Sequence, residues 1–495
     1  MFEDTPLTAI DAVLQQSWAA FHQYQQYSIK QRADFMRAIA TALQNSGDEL
    51  IKTAIEETNL PEARLKGEKA RTVVQLNSYA DACERGDWLE ASIDTAVPNS
   101  NPQKPDIRKM LVPLGPVIVF GASNFPFAFS TAGGDTACAF AAGCPVIVKA
   151  HPGHAQTSTY VAQLIMQAAA ECKMPDGIFA HVYGASFKVG EALVKHPLTK
   201  AVSFTGSYIG GKQLFDWGNQ RKEPIPVFAE MGSINPVFLL PEKLKASPAD
   251  LAKMLAASVT LGVGQFCTNP GLIIGIEGDD LQNFIAAMGN EMKNIAPSKM
   301  LHPGIAKAYT EKRAKALEQE NVTVIAEAAL PETDHCGAAL IATVTGETFL
   351  GNELLQQEVF GPYTLVVRCQ DMAEMATIAR HLEGQLTCTI MATENELSQQ
   401  GELIALIKDR CGRMLFNGVP TGVEVCLSMQ HGGPFPATTD ARFTSVGADG
   451  IKRFARPVAY QNWPNDLLPD ELKNDNPLHI YRTVNNELTK GKIEG

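Results

Sequence analysis

The sequence predicts an α/β protein with two parallel-sheet units, and three observations support this fold class. The chain of 495 residues is too long for one hydrophobic core, so more than one domain is expected. From about residue 117, short unbroken apolar runs alternate with helical segments, which is typical of parallel sheets covered by helices on both faces. The same rhythm restarts after Asn235, which indicates a second unit.

The predicted elements follow in order along the chain. Residues 8–90 are rich in Ala, Gln, Leu, Glu and Lys with helical spacing, so the chain opens on helices. Residues 94–105 contain three prolines among polar residues and are expected to form a connection or a surface arm. The first unit is predicted to hold five strands, at 117–120, 145–149, 178–183, 201–204 and 226–230. The second begins with a strand at 236–240 and a helix from about 248 to 261, and extends to roughly residue 430.

Charge and cysteine usage exclude several classes of protein. Acidic residues (54) outnumber basic ones (42), and the net charge of −12 disfavours binding to nucleic acid. The uncharged stretch at 110–134 has the length of a membrane span, but repeated Pro and Gly indicate a buried strand and loop instead. The N-terminus lacks the features of a signal peptide, and the 10 cysteines show no zinc-ligand spacing. We therefore expect a cytoplasmic protein with reduced thiols, no metal and no membrane contact.

Four polar residues lie at or just beyond the carboxyl ends of the predicted strands of the first unit. They are Asn124, Lys149, Ser207 and Glu230. Parallel sheets bind ligands beyond the carboxyl ends of their strands, so these side chains are candidates for a site. Glu230 ends an apolar strand, where burial favours a general base, although an ordinary salt bridge is the simpler interpretation.

Three turns carry further candidates. Cys267 lies in the turn Gly-Gln-Phe-Cys-Thr-Asn-Pro-Gly, which suits a nucleophile, while most cysteines are small buried hydrophobes. The Asn124 amide lies between Gly and Pro and suits an oxyanion site or local backbone hydrogen bonding. The turn at 204–211, Phe-Thr-Gly-Ser-Tyr-Ile-Gly-Gly, suits a phosphate group or a plain strand–helix turn, because it is not G-x-G-x-x-G. Glu358 begins the segment Glu-Val-Phe-Gly-Pro, which taken alone is compatible with any loop.

Together these motifs, in this order and spacing, resemble the aldehyde dehydrogenase superfamily. The resemblance runs from the helical start to about Trp463 and rests on five segments. They are Asn-Phe-Pro, Phe-Thr-Gly-Ser, Glu-x-Gly, Gly-Gln-x-Cys and Glu-x-Phe-Gly-Pro. The resemblance implies an NAD(P)-dependent oxidation of an aldehyde to a carboxylate through a cysteine thioester.

The same resemblance implies a role for each matching residue. Cys267 matches the nucleophile. Asn124 and the Cys267 backbone N–H match the groups that hold the oxyanion, and Glu230 matches the base that activates water. The residues that match the cofactor site are Lys149 at the adenosine ribose, Gly206, Ser207 and Gly211 at the pyrophosphate, and Glu358 with Phe360 at the nicotinamide ribose.

One departure from the family pattern bears on the cofactor. Many members continue from the lysine with Pro-x-Glu, whose carboxylate favours NAD, whereas residues 149–152 here are Lys-Ala-His-Pro. Loss of that negative charge eases entry of a 2′-phosphate, with which Lys149 or His151 is able to pair. NADP, or dual use of NADP and NAD, is therefore predicted.

A second departure bears on the substrate. Residues 416–424, 431–437 and 442–447, with the Asn124 loop and the run 133–135, resemble the α-ketoglutaric semialdehyde (2,5-dioxopentanoate) dehydrogenases. NADP-dependent fatty aldehyde dehydrogenases share much of this pattern. A dioxo acid would favour an arginine fork, for which Arg442 is the candidate, with a surface ion pair as the alternative. A fatty aldehyde would favour an apolar tunnel, for which Phe127, Phe129 and Phe435 are candidates, although most phenylalanines are core. The dioxo acid is the preferred prediction.

The resemblance also implies a domain plan and an assembly. Residues 1–97 and 115–231 would bind the cofactor, 232–432 would carry the nucleophile, and 98–114 with 456–495 would form an oligomerisation arm and tail. A homodimer or homotetramer is expected, because such an arm completes a neighbour's sheet.

Two hypotheses from other functional classes compete with the aldehyde dehydrogenase hypothesis. A cysteine-dependent acyl transferase or hydrolase would use Cys267 without redox chemistry, but would leave Glu358 and the turn at 204–211 without a function. A non-catalytic protein on the same fold would be favoured by loss of Cys267, Glu230 or Asn124, and all three are present.

Overall fold

The computed structural model describes residues 2–329 and 333–493. Residues 1, 330–332, 494 and 495, which belong to the predicted domains, lie outside the described residues. The α-helices are α1 Leu7–Tyr24, α2 Ile29–Gln44, α3 Glu49–Thr58, α4 Glu62–Arg85, α5 Gly134–Ala142, α6 Ala155–Glu171, α7 Phe187–Lys195, α8 Tyr208–Asn219, α9 Pro241–Ala246, α10 Pro248–Thr260, α11 Asp279–Lys293, α12 Pro303–Leu317, α13 Gly346–Leu350, α14 Met372–His381, α15 Glu394–Gln399 and α16 Gly401–Lys408.

The strands have short bounds that follow the apolar runs. They are β1 Ser92–Asp94, β2 Ile107–Pro113, β3 Val117–Phe120, β4 Val146–Lys149, β5 Phe179–Val182, β6 Ala201–Thr205, β7 Val227–Glu230, β8 Val237–Leu239, β9 Leu272–Ile276, β10 Ser298–Lys299, β11 Thr323–Glu327, β12 Cys336–Gly337, β13 Leu340–Thr345, β14 Tyr363–Cys369, β15 Gln385–Met391, β16 Cys411–Phe416, β17 Ala455–Gln461, β18 Arg482–Val484 and β19 Glu487–Thr489. The predicted α/β class is confirmed, and the strands predicted from the apolar runs form within a residue or two of their expected ends.

The first sheet is parallel throughout and has the order β5-β4-β3-β6-β7. From β3 the chain first adds β4 and β5 on one side, and it then places β6 and β7 on the other side of β3. A crevice for a ligand forms at this reversal, beyond the carboxyl ends of the strands. The loops that follow β3 and β6 therefore meet at the predicted site.

The second sheet has seven strands in the order β11-β13-β14-β9-β8-β15-β16. All neighbours are parallel except β11, which runs antiparallel to β13. The strand β15 is buried along its whole length, as expected for a strand covered on both faces. In contrast, β16 lies at the edge and leaves Met414 and Phe416 exposed.

A third sheet joins the region before β3 to the C-terminal segment in the order β17-β2-β1-β18-β19. It pairs β2 with β17 from Ile107↔Gln461 to Pro113↔Ala455. This sheet also contains β1, which precedes the predicted arm at 98–114. No helix among the described residues has both the length and the apolar character needed to cross a membrane.

Candidate active site

Glu230 is the last residue of β7 and is 4% exposed. Its Oε2 accepts a 2.6 Å hydrogen bond from Ser445 Oγ, and its Oε1 lies 3.2 Å from His431 Nε2. Burial pushes the pKa of Glu230 upward, but His431, Ser445 and Cys267 outweigh this and hold it below the ordinary value. The residue is therefore a buried carboxylate that stays ionised at neutral pH.

Cys267 lies on the turn between α10 and β9, and neighbouring side chains fix the backbone there. Asn235 Nδ2 donates to the carbonyl oxygens of Cys267 (2.9 Å) and Asn269 (3.0 Å). Gly264 has φ +66°, and a Cβ there would lie 2.2 Å from the carbonyl carbon of Gly361. This turn consequently requires glycine at position 264.

The Cys267 side chain is half-buried beside Glu230. Burial, followed by the negative charges of Glu230 and Glu358, raises the pKa of the Cys267 thiol well above its ordinary value. The resting thiol therefore keeps its proton, and the ionised Glu230 is close enough to accept it.

Asn124 lies on the loop after β3, and its side-chain amide donates a 3.1 Å hydrogen bond to the carbonyl oxygen of Gln265. Helix α4 holds this loop from the other side. Arg64 Nη2 donates to the Asn124 carbonyl oxygen (2.7 Å), and Glu68 Oε1 accepts from the backbone N–H of Phe127 (2.9 Å). One N–H of the Asn124 amide thus anchors the loop, while the second remains for a ligand beside Cys267.

His431 completes the cluster, and the sequence analysis did not select it. Its ring is 1% exposed, and Nε2 makes a 3.6 Å hydrogen bond with Cys267 Sγ. The His431 backbone N–H donates to Thr444 Oγ1 (2.9 Å), and its carbonyl oxygen accepts from the Ser445 backbone N–H (2.8 Å). The signal in the sequence is a histidine directly before the pair Gly432 and Gly433. In the structure a Cβ on Gly433 would lie 2.1 Å from the backbone carbonyl oxygen of Gln385, so this position requires glycine.

The donor atoms of Glu230, Cys267 and His431 all lie within 4.8 Å of one another. A carboxylate, a thiol and an imidazole at this spacing are able to ligate zinc. They equally form a nucleophile with a base in reach, which is the arrangement used in covalent catalysis. The adjoining groove and Asn124 favour the second interpretation.

A groove of about 490 Å³ extends from the thiol across the reversal point of the first sheet. Its lining includes Cys267, Asn124, Glu358 and Phe360, together with Gly206 and Ser207 at the start of α8. Burial raises the pKa of Glu358 to about 7, partly offset by Lys312.

The turn that contains Gly206 and Ser207 begins a helix. Ser207 caps α8, because its Oγ accepts from the Gly210 backbone N–H at 3.3 Å, and the groove runs past this helix N-terminus. Gly206 allows close packing there, since a Cβ would lie 2.6 Å from the Phe204 ring. Gly211 does not line the groove. It is buried where a Cβ would lie 2.6 Å from Met231 Cγ, so it packs α8 against the end of β7.

Lys149 and His151 lie at the end of β4, outside the lining of the groove. Burial lowers the pKa of Lys149 to about 8, which the carboxylate of Asp4 partly offsets. The His151 ring lies 5.4 Å from the His154 ring and 5.9 Å from the His302 ring. Burial, with the nearby His154 and Lys149, holds the pKa of His151 well below its ordinary value.

The structure does not bring the two candidate substrate residues to the thiol. The Arg442 side chain is 81% exposed, and its Nε and Nη2 bind the Asp440 carboxylate at 2.8 and 2.6 Å. Phe127 is 1% exposed and belongs to the main hydrophobic core. Of the other phenylalanines considered, Phe129 lies close to the cluster, with its ring 6.3 Å from that of His431.

Comparison with known proteins agrees with this geometry. The model of the aldehyde dehydrogenase family matches residues 2–434. The chain is 46% identical over 492 residues to an alpha-ketoglutaric semialdehyde dehydrogenase of Acinetobacter baylyi, which covers 99% of this chain and 93% of that protein. It is 47% identical over 476 residues to alpha-ketoglutaric semialdehyde dehydrogenase 2 of Azospirillum brasilense, with coverage of 96% and 90%.

Solved structures show the same fold. A 1-pyrroline-5-carboxylate dehydrogenase from Thermus with bound NAD superposes with a TM-score of 0.78 at 19% identity, over 92% of this chain and 86% of that chain. At this identity the likeness extends to the fold alone.

Proposed function

Because the chain belongs to the aldehyde dehydrogenase family, we propose that it oxidises 2,5-dioxopentanoate to 2-oxoglutarate with NADP or NAD. The observation that carries the proposal is the contact of Cys267, His431 and Glu230 at the end of the groove. The substrate is supported by the two relatives at 46% and 47% identity, which match nearly the whole chain and are named for this aldehyde.

The site residues divide the proposed reaction between them. The Cys267 sulfur attacks the aldehyde carbon as its proton passes to Glu230 or His431, and the carbonyl oxygen becomes an oxyanion. The free N–H of the Asn124 amide and the Cys267 backbone N–H stabilise that charge. A nicotinamide bound in the groove would supply the acceptor for the hydride of this carbon, and the acyl group would then remain on Cys267 as a thioester. Glu230, after any proton taken from Cys267 has been released to solvent, deprotonates a water that attacks the thioester carbon. The carbon–sulfur bond breaks, and the departing sulfur takes up that proton and is restored as the thiol.

The groove fits a dinucleotide through groups that the protein leaves exposed to it. The N-terminus of α8 and the small residues Gly206 and Ser207 suit the pyrophosphate. Glu358 presents a carboxylate for ribose hydroxyls. The run 149–152 has no carboxylate, and Lys149 at the end of β4 supports acceptance of a 2′-phosphate, so we propose NADP or dual use. His151 supplies no positive charge for that phosphate at neutral pH, because its pKa lies well below the ordinary value.

His431 is proposed to assist formation of the thiolate through its bond to sulfur. The change His431→Asn is expected to lower kcat/KM by about 100-fold, because the thiol loses a proton-accepting partner. Alkylation of Cys267 by iodoacetamide should also require a higher pH to reach the rate seen in the unmodified protein. The matched control is His181→Asn, a histidine bonded to Ser158 and outside the groove lining. An unchanged alkylation profile in His431→Asn would remove this role.

Initial-rate measurements test the function as a whole. We expect kcat/KM for 2,5-dioxopentanoate to exceed that for hexanal by about 100-fold or more, since a bound carboxylate adds a charged contact. NADP and NAD should be compared with each aldehyde, and NADP is expected to serve at least as well as NAD. Preference for hexanal would assign the chain to fatty aldehyde oxidation. Acid formation without either nicotinamide would instead support acyl transfer or hydrolysis.

We also propose the domain boundaries and the oligomeric state that the family resemblance implies. The first sheet with residues 1–97 and 115–231 would bind the cofactor, and 232–432 would carry the nucleophile. The exposed edge strand β16, with Met414 39% and Phe416 44% exposed, supports pairing with a second copy in a homodimer or homotetramer. The ten cysteines are all free, which supports a reducing, cytoplasmic location.

A further inference from the structure

The structure assigns Arg71, on α4, to the substrate: we propose that its Nε and Nη2 bind the carboxylate of an oxo acid whose aldehyde reaches Cys267. The inference rests on the proposed function and extends it to the residue that recognises the acid group. Four observations lead to it, concerning hydrogen bonding, position, charge and the alternatives.

The first observation is an unfilled hydrogen-bonding edge. Arg71 Nε and Nη2 are both buried without a hydrogen-bond partner among the described residues. Two other arginines show what this edge holds in the same protein. In Arg108, Nε and Nη2 donate to the Asp106 carboxylate at 2.9 and 3.0 Å. In Arg442, the same two atoms donate to the Asp440 carboxylate. A buried guanidinium edge without a partner is unfavourable, and a planar carboxylate is its natural bidentate ligand.

The second observation is where Arg71 lies. Its guanidinium carbon is 5.6 Å from the centre of the Phe129 ring. That ring is 6.3 Å from the His431 ring, and His431 Nε2 is 3.6 Å from Cys267 Sγ. A chain of neighbouring side chains, Phe129 and then His431, therefore links the guanidinium to the thiol.

The surroundings of Phe129 are apolar. It belongs to a small cluster with Ala122, Ala128 and Val446, against which Phe125, Val423, Val425 and Met429 pack. In such surroundings a charged hydrogen bond is stronger than in water.

The third observation is the charge balance on this face of α4. Arg64, Glu68 and Arg71 lie on the same face, at spacings of four and three residues. Glu68 Oε1 is already bound by the backbone N–H groups of Phe127 and Ala128, and Oε2 lies 3.9 Å from Arg64. Two guanidinium groups thus act on one carboxylate, whose Oε2 makes no hydrogen bond among the described residues, and the three groups together carry a net positive charge.

The fourth observation is that the neighbouring arginines each make hydrogen bonds to backbone carbonyl groups and leave only one buried nitrogen, Arg64 Nη1 or Arg413 Nε, without a partner. Arg64 Nη2 holds the Asn124 carbonyl oxygen at 2.7 Å. Arg413 Nη1 and Nη2 bind the carbonyl oxygens of Gly422 (3.2 Å) and Pro420 (2.8 Å), so Arg413 fixes the loop after β16. Among the described residues, Arg71 is the arginine whose Nε and Nη2 are both buried and both lack a hydrogen-bond partner.

The test compares one acidic and one uncharged aldehyde in matched variants. Arg71→Met should lower kcat/KM for 2,5-dioxopentanoate by about 100-fold, chiefly through KM, and change hexanal by less than about threefold. Arg71→Lys should lose about tenfold on the acid, because an ammonium keeps the charge without the fork. Arg442→Met, which removes an exposed arginine that binds Asp440, should change neither aldehyde by more than about twofold.

A binding measurement on the cofactor-free protein gives an independent readout. Calorimetric titration with 2-oxoglutarate should show a dissociation constant at least about tenfold weaker in Arg71→Met than in the unmodified protein. Equal losses on both aldehydes, or unchanged binding of 2-oxoglutarate, would overturn the assignment of Arg71.

The outcomes separate this inference from the proposed function. If the unmodified protein prefers 2,5-dioxopentanoate and Arg71→Met keeps that preference, the function stands and Arg71 is excluded. If the unmodified protein does not prefer this acid, but Arg71→Met still weakens 2-oxoglutarate and acidic aldehydes selectively, Arg71 stands and the named substrate falls. If neither preference nor selective loss is seen, both are overturned.

Discussion

Replacement of Cys267 by alanine is expected to reduce aldehyde oxidation by about 10⁴-fold or more, because no covalent adduct is able to form. Formation of the reduced cofactor, followed by absorbance, measures this loss. Binding of the oxidised cofactor should remain, since Cys267 occupies only one end of a groove of about 490 Å³. The exposed Cys426 offers the matched control, and Cys426→Ala should retain full activity.

The environment of the thiol also predicts the direction of the pH dependence. Burial and the charges of Glu230 and Glu358 raise the pKa of Cys267 above its ordinary value of 9.0, so the thiolate fraction stays small at neutral pH and increases as pH rises into the alkaline range. The alkylation rate of the free enzyme should increase accordingly. Retained turnover in Cys267→Ala would exclude Cys267 as the nucleophile whatever the pH profile.

The change Glu230→Gln is expected to slow steady-state oxidation by about 1,000-fold, because the thioester loses the base that activates water. The first turnover should persist in part, so rapid mixing should reveal a burst of reduced cofactor approaching one equivalent per site. The pKa of Glu230 lies below its ordinary value of 4.5, so this carboxylate is ionised across the neutral range in the unmodified enzyme. An unchanged steady-state rate would contradict its role as a base.

A second readout distinguishes a lost base from a disturbed structure. Removal of the Glu230 charge should lower the pKa of Cys267, so iodoacetamide should react with Glu230→Gln faster than with the unmodified protein at neutral pH. Glu396 provides a control, because it is a buried carboxylate that accepts from the backbone N–H groups of Lys243 (3.1 Å) and Thr393 (3.0 Å). Glu396→Gln should leave the reactivity of Cys267 unchanged.

Much of the fold follows from local patterns in the chain. Short apolar runs separated by helical segments predicted the strands of the first sheet, because burial on both faces requires apolar side chains at every position. The same patterns located Glu230 at the end of β7 and the Asn124 loop after β3, since a residue that follows a strand lies at the sheet edge by continuity of the backbone. The turn around Cys267 was equally visible, because Gly264 and Pro270 stand in the sequence.

The sequence by itself thus predicted the α/β class and the ends of the first strands, and the resemblance of its motifs supplied Cys267, Glu230 and Asn124 as the proposed nucleophile, base and oxyanion amide. Only the tertiary structure decided which distant residues complete the site. His431 is 164 positions from Cys267 and reaches it through loops held by Thr444 and Ser445. Arg442 had the right chemistry for a carboxylate but pairs with Asp440 at the surface, while Arg71 is buried near Phe129 with a free edge. The physical reason is that residue type sets what a side chain is able to bind, whereas burial, orientation and competing partners arise only when distant segments pack together.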